Sequence, residues 1–189
     1  MASLTDIANR ALSLLGQAAI VSLNDKTPES EEIRRVLPFV LDSVYRMYPW
    51  NCLSKRVVLA PLTTPPVSTY SYAYRLPSDC LRVLEVEMDS HTKYRVEGRD
   101  LLCNAADEVR LRYVQYTEDP NLLDGLLREV IAYYIAVSLC ERITQSNKKA
   151  DLMRRGFNEV LRYAVRADSQ ENPPVRFAES SWLRARYWN

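Results

Sequence analysis

Residues 72–116 read YAYRLPSDCLRVLEVEMDSHTKYRVEGRDLLCNAADEVRLRYVQY, and this stretch decides the fold. Its runs 72–76, 81–88, 93–97, 101–104 and 108–115 are short and rich in β-branched and aromatic residues, a composition that suits a pleated, half-buried surface. Over 109–115, Val109, Leu111, Tyr113 and Gln115 alternate with Arg110, Arg112 and Val114, the two-residue period of a strand, imperfect at Val114. Pro77-Ser78-Asp79 and Asp89-Ser90 separate the runs as turns, and Gly98, between Glu97 and Arg99, supplies the unusual φ that a hairpin or bulge needs. One more run, 56–60, precedes them across the proline-rich segment 61–66. The pattern predicts a small antiparallel β unit over 55–118.

On either side the period lengthens to that of helices. Before the β unit, Leu4, Ile7, Ala8, Ala11, Leu12 and Leu15 share one face behind a capping-box-like pair, Ser3 and Asp6, and Gly16 stands where a helix end needs positive φ. A polar link over 22–30 leads to a second helix carrying Ile33, Leu37, Val40, Leu41 and Val44, with a kink or break expected at Pro38. After the β unit, Pro120 is expected to open a third helix, apolar on more than one side and hence central. A fourth, amphipathic helix follows over 148–168, buried through Met153, Phe157, Val160 and Ala164 and charged on its other face. Asn172-Pro173-Pro174 cannot continue it. The expected fold is α+β: an antiparallel helix bundle (1–54 and 119–169) with an inserted small antiparallel β domain (55–118) and an extended C-terminal tail (170–189).

Composition narrows the function. The 189 residues are 47% hydrophobic and carry 25 basic against 24 acidic side chains, a net charge of +1. That describes a globular chain without the basic surplus of a dedicated nucleic-acid binder. Its longest apolar run, 131–140, is too short and too polar to cross a bilayer, and the first residues lack the pattern of a secretory signal, so a soluble protein with no membrane partner is expected. Cys52, Cys80, Cys103 and Cys140 form no CxxC pair and lie in apolar or strand-like runs, which favours free thiols and no metal. Twelve tyrosines against three phenylalanines suit surfaces buried only when a partner arrives.

Catalysis finds little support. The single histidine, His91, lies in a turn beside Asp89 and Ser90, too close in sequence for a relay that joins distant segments. Four glycines give no phosphate-binding loop, and no cofactor is expected. Glu85 and Glu87 alternate on one strand face, where two carboxylates can serve glycoside cleavage, although a solvated or salt-bridged face is the preferred reading. Glu31 and Glu32 before Arg34 and Arg35 read as an i,i+3 surface pairing, with an inter-subunit bridge as the alternative. Arg82, Arg95, Arg99, Arg110 and Arg112 near Tyr94, Tyr113 and Tyr116 are candidates for a basic, DNA-facing patch. The tail sets Phe177, Trp182, Leu183, Tyr187 and Trp188 beside Arg176, Arg184 and Arg186, the composition of an interface hot spot. Trp182 has two readings, the interface and a return onto its own bundle.

Several strings stand in an informative order: Tyr48-Pro49-Trp50, Lys55-Arg56, Leu59-Ala60, RLPSDCLRVL over 75–84 and YRVEGR over 94–99. Further on come Pro120-Asn121-Leu122-Leu123-Asp124, Ile143-Thr144-Gln145-Ser146 and Ser181-Trp182-Leu183-Arg184-Ala185-Arg186. In this order they resemble the tail tubular protein A and head-to-tail adaptor family of tailed bacteriophages. Asn51-Cys52-Leu53 departs from the Phe-Ala-like pair expected after Trp50. The resemblance implies a structural head-to-tail connector subunit without catalysis, assembled in the host cytoplasm into a virion ring, a dodecamer by expectation. That ring would sit between the portal protein and the tail tube or nozzle protein, with packaged double-stranded DNA passing through non-specifically. It also implies portal contact through the tail residues Arg176, Phe177, Trp182, Leu183, Arg184, Arg186, Tyr187 and Trp188. Subunit or tail contacts are expected at Glu31, Glu32, Arg34, Arg35, Arg82, Arg95, Arg99 and Tyr113. The alternatives are a small cell-wall hydrolase using Glu85, Glu87 or Glu97, and a DNA-binding module.

Overall fold

In a computed structural model, residues 2–87 and 93–172 are described. Two helices lead, α1 (Leu4–Leu15) and α2 (Pro28–Met47); six strands follow; α3 (Gly125–Thr144) and α4 (Asn147–Glu171) close the body. The chain is α+β: a helix bundle with two small antiparallel sheets inserted between its halves.

Each helix starts on a side chain that takes up an otherwise unpaired amide. At α1 the Ser3 hydroxyl accepts from the Asp6 amide at 3.0 Å while the Asp6 carboxylate accepts from the Ser3 amide at 2.8 Å, and Gly16 ends the helix at φ 75°. Thr27, Asp124 and Ser146 cap α2, α3 and α4. Such caps contribute about 1 kcal/mol each. Of the kink or break expected at Pro38 the break is absent, and the helix expected to open at Pro120 is corrected. The helix α2 continues through Pro38, because that residue lies on the exposed face, where the Arg34 carbonyl that loses its donor can meet water. Pro120 opens only a 3-10 turn, Pro120–Leu122, capped by Asp119; Leu123 returns to extended backbone, and α3 starts afresh behind Asp124.

The central helix is α3, against which α1, α2 and α4 all pack. Its Leu127, Val130, Ile131, Ile135, Ala136 and Leu139 are buried around most of its circumference. Gln145 and Ser146 turn α3 directly into α4, so the two run antiparallel. The Arg142 guanidinium at the end of α3 meets Glu32 near the start of α2, so α2 is antiparallel to α3 as well and parallel to α4.

The strands are β1 (Ser54–Leu59), β2 (Tyr72–Arg75), β3 (Cys80–Glu87), β4 (Tyr94–Glu97), β5 (Asp100–Cys103) and β6 (Val109–Gln115). They form two antiparallel sheets, ordered β1-β6-β3 and β2-β5-β4. The sheets enclose a second core of Leu59, Tyr74, Leu101, Cys103, Leu111 and Tyr113. At their bundle end Val114 is buried in the helical core, with Leu81 and Leu84 packed against it, so helices and β unit share one apolar boundary. The register of β3 on β6 shifts between Cys80 and Arg82 and again between Val83 and Glu85, bulges that turn these leucines toward the helices. No described helix is long and apolar enough to cross a membrane.

Candidate interaction surfaces

The residues singled out from the sequence fall into joints, exposed faces and positions outside the described part. Arg176, Phe177, Trp182, Leu183, Arg184, Arg186, Tyr187 and Trp188 lie outside the described residues, as does His91.

Tyr113, expected at a subunit or tail contact, is a core residue. It is 1% exposed between the two sheets, and its hydroxyl donates to an Asp79 carboxylate oxygen at 3.0 Å, so no partner can reach it. Asp79 also receives Lys55 at 3.0 Å and its carbonyl accepts from the Tyr116 amide at 2.7 Å. Burial pushes the Asp79 carboxyl up, but the hydrogen bonds from Lys55 and Tyr113 outweigh it and hold the group below its usual value. Arg99, likewise expected at a contact, is a strut: its guanidinium donates to the carbonyls of Pro77 and Cys80, fastening the turn after β4 to the start of β3. Gly98 sits in that turn at φ 59°.

The tyrosine surplus is partly a core feature. Tyr45, Tyr74 and Tyr113 are all buried. The Tyr74 hydroxyl lies 2.7 and 2.8 Å from the carbonyls of Ala105 and Asp107, and burial raises it to about 12. The Tyr45 hydroxyl donates to the Thr117 carbonyl at 3.1 Å, and its ring meets Tyr116 edge-on.

The arginines expected in one basic patch are dispersed. Arg112 faces Glu85 at 3.4 Å, Arg56 pairs with Glu87, and Arg95 with its own strand neighbour Glu97 at 3.3 Å. Arg82 donates to the Arg46 carbonyl at 3.3 Å while Arg46 donates to that of Leu81 at 2.6 Å, a reciprocal tie between α2 and β3. On the outward face of β1-β6-β3 the exposed Arg110, without an ion pair among the described residues, lies two positions from Arg112, so that face mixes arginines with Glu85 and Glu87. The same ion pairs engage all three glutamates that the hydrolase alternative requires. Among the described residues no group of three or more His, Cys, Asp or Glu side chains is placed to hold a metal ion, and the four cysteines are free.

On α2, Glu32 pairs with Arg35 at 3.0 Å and with Arg142 at 2.5 Å, so its carboxylate joins helices within the subunit. Arg34 points its guanidinium at the Leu23 carbonyl at 3.4 Å. Glu31 projects into solvent.

Two features escaped the sequence reading. Phe39 on α2 is 74% exposed, and on α4 Leu152 and Tyr163 are 60% and 61% exposed. Two open depressions of 530 and 600 Å³ lie along the outer surface of α4 and share Arg155. The 3.6-residue pattern already set Leu152 and Tyr163 apart from the buried positions of α4, and that offset was the available signal. The second feature is a clasp at the end of α4. Asp168, 9% exposed, accepts from the Asn51 amide at 2.9 Å; its carbonyl accepts from the Asn51 side chain at 2.7 Å, and Asn172 donates to that side chain at 2.6 Å. Burial raises the Asp168 carboxyl, with Glu171 and Asp124 adding to the shift against the hydrogen bond from Asn51. The clasp holds the end of α4 beside buried Trp50, whose indole donates to the Val44 carbonyl at 3.0 Å. Nothing in the sequence joins Asn51 to a helix more than a hundred residues later. Comparison of the chain with protein-family models and with curated proteins finds no match.

Proposed function

We propose that this chain is a non-catalytic head-to-tail connector subunit of a tailed-phage virion, forming a ring between portal and tail through which double-stranded DNA passes. The observation that carries the reading is where the resemblance-bearing strings lie in the fold. Tyr48-Pro49-Trp50 is the elbow between α2 and β1, with Trp50 in the helical core. The string over 75–84 carries the turn whose Asp79 gathers Lys55, Tyr113 and Tyr116, and YRVEGR ends in the strut Arg99. Pro120–Leu122 and Gln145-Ser146 are the turns that lead into and out of α3. Most of the described strings therefore touch the joints that orient a β unit on a helix bundle, which is the body plan the resemblance implies; Leu59-Ala60 ends β1, and 181–186 lies outside the described residues. A near-neutral chain in which Arg56, Arg75, Arg95 and Arg112 of the β unit are held in ion pairs also suits a conduit, since each additional neutralised phosphate would slow DNA passage.

Light scattering on the purified chain, alone and with a portal ring, tests the reading. A large ring, free or on the portal, is expected, and its mass counts the copies. A monomer that ignores the portal overturns it, as does peptidoglycan turnover that Glu85→Gln abolishes.

A further inference from the structure

We propose that neighbouring subunits meet through α2 of one copy lying parallel to α4 of the next, in one register. The contact presupposes the ring reading above, in which each subunit needs two different faces that complement one another.

The pattern lies in two exposed stripes. On α2, Glu31, Arg35, Phe39 and Asp42 are all exposed, at intervals of four, four and three residues. On α4, Arg155, Glu159, Tyr163 and Arg166 are all exposed at the same intervals. Each set falls within an arc of about 80° and spans about 16 Å of helix. Laid parallel with Glu31 level with Arg155, the stripes match at every position: Glu31 with Arg155, Arg35 with Glu159, Phe39 with Tyr163, Asp42 with Arg166. Arg162, an additional cation on α4, then comes level with uncharged Pro38. The antiparallel alignment that sets Glu31 level with Arg166 and Asp42 with Arg155 brings Arg35 level with Arg162 and Phe39 with Asn158, losing two of the four matches.

Direction and local pairing agree with this. Since α2 and α4 both run against α3, they point the same way in each subunit. A rotation about an axis along the bundle keeps that direction, so α2 of one copy meets α4 of the next in parallel. Glu31, Asp42, Arg155 and Arg166 make no ion pair among the described residues, whereas most arginines of the β unit do. Arg35 is already shared with Glu32, so its part in the contact is smaller. The aromatic pair, 74% and 61% exposed in the single subunit, lies nearer the middle of the stripe than its ends, where apolar anchors contribute most. The depression lined by Arg155, Glu159 and Arg162 leaves room for α2 side chains.

Disulfide trapping tests the contact. Phe39→Cys and Tyr163→Cys variants, oxidised together at high concentration and on the portal ring, are expected to give a crosslinked dimer that neither gives alone. One chain bearing both substitutions is expected to give a ladder. Reversing one face, Glu31→Arg with Asp42→Arg, should cut the crosslinking yield by about tenfold or more, and adding Arg155→Glu with Arg166→Glu to the same chain should restore it. A ring seen by light scattering without a 39–163 crosslink overturns this contact and leaves the ring reading standing. A ladder that stops at two copies supports the contact and overturns the ring. Unrestored yield in the fourfold charge swap overturns the register.

Discussion

Gly156→Ala should destabilise this protein, although the same change in the interior of an exposed helix normally stabilises by about 1 kcal/mol. Gly156 lies in α4 where it crosses α3, and a Cβ there would stand 2.6 Å from Cε1 of Tyr133 and 3.3 Å from its Cδ1. Carbon atoms pack best at about 3.5–4.0 Å, so the ring must retreat by about 1 Å. Tyr133 is half-buried, and the adjoining Tyr134 is packed on Phe157 with ring centroids 5.1 Å apart, which restrains both helices at this level. Forcing a methyl group into such a contact costs about 1–3 kcal/mol. Set against the helix gain, the net loss is about 0–2 kcal/mol. In a Tyr133→Ala background the obstruction is gone, and Gly156→Ala should stabilise by about 1 kcal/mol. The sign reversal between backgrounds is the signature, a coupling of about 1–3 kcal/mol. Urea unfolding of the four proteins, followed by far-UV circular dichroism with unchanged m-values, measures it. If Gly156→Ala stabilises both backgrounds equally, the close approach of α3 and α4 is refuted.

Three further outcomes are expected. Asp168→Asn keeps an acceptor for the Asn51 amide and removes a desolvated charge, so at pH 7 it should be neutral or stabilising, whereas Asp168→Ala orphans that amide and should cost about 1–3 kcal/mol in the same urea assay. Because burial raises the Asp168 carboxyl, its charged form opposes folding, and the advantage of Asp168→Asn should vanish as the pH falls through the native value and the wild-type group takes up its proton. Asp79 has the opposite sign: its native value is depressed, so its contribution is present above the unfolded value of about 4 and is lost as the pH falls through the native one, which Asp79→Asn should abolish in a stability–pH profile. Truncation after Asn172 should leave the circular dichroism spectrum and unfolding midpoint of the body unchanged while weakening attachment to a portal ring; loss of folding would make the tail part of the core.

What the sequence made legible follows from how local each determinant is. The start of α1 was readable because Ser3 and Asp6 satisfy one another within four residues, and the strand runs because their period is intrinsic to the chain. A proline's effect depends on surroundings that the sequence does not display: α2 runs unbroken through Pro38 on a wet helix face, and Pro120 is separated from α3 by a second cap, Asp124. Tyr113 reads as a surface residue, and the exposed Arg99 as a free contact, because composition does not reveal that Asp79 and the carbonyls of Pro77 and Cys80 await them. The bulges in β3 decide that Glu85 faces Arg112, and no count of alternating residues contains them. The strings that carry the resemblance fall mostly at joints among the described residues, so they speak for a body plan before they speak for a task. Under the proposed connector reading, the task lies instead in exposed side chains that the fold of one subunit does not require. Glu31, Phe39 and Asp42 on α2, with Arg155, Tyr163 and Arg166 on α4, are such side chains. Substituting them separates assembly from folding, which changes at Trp50, Asp79 or Arg99 cannot do.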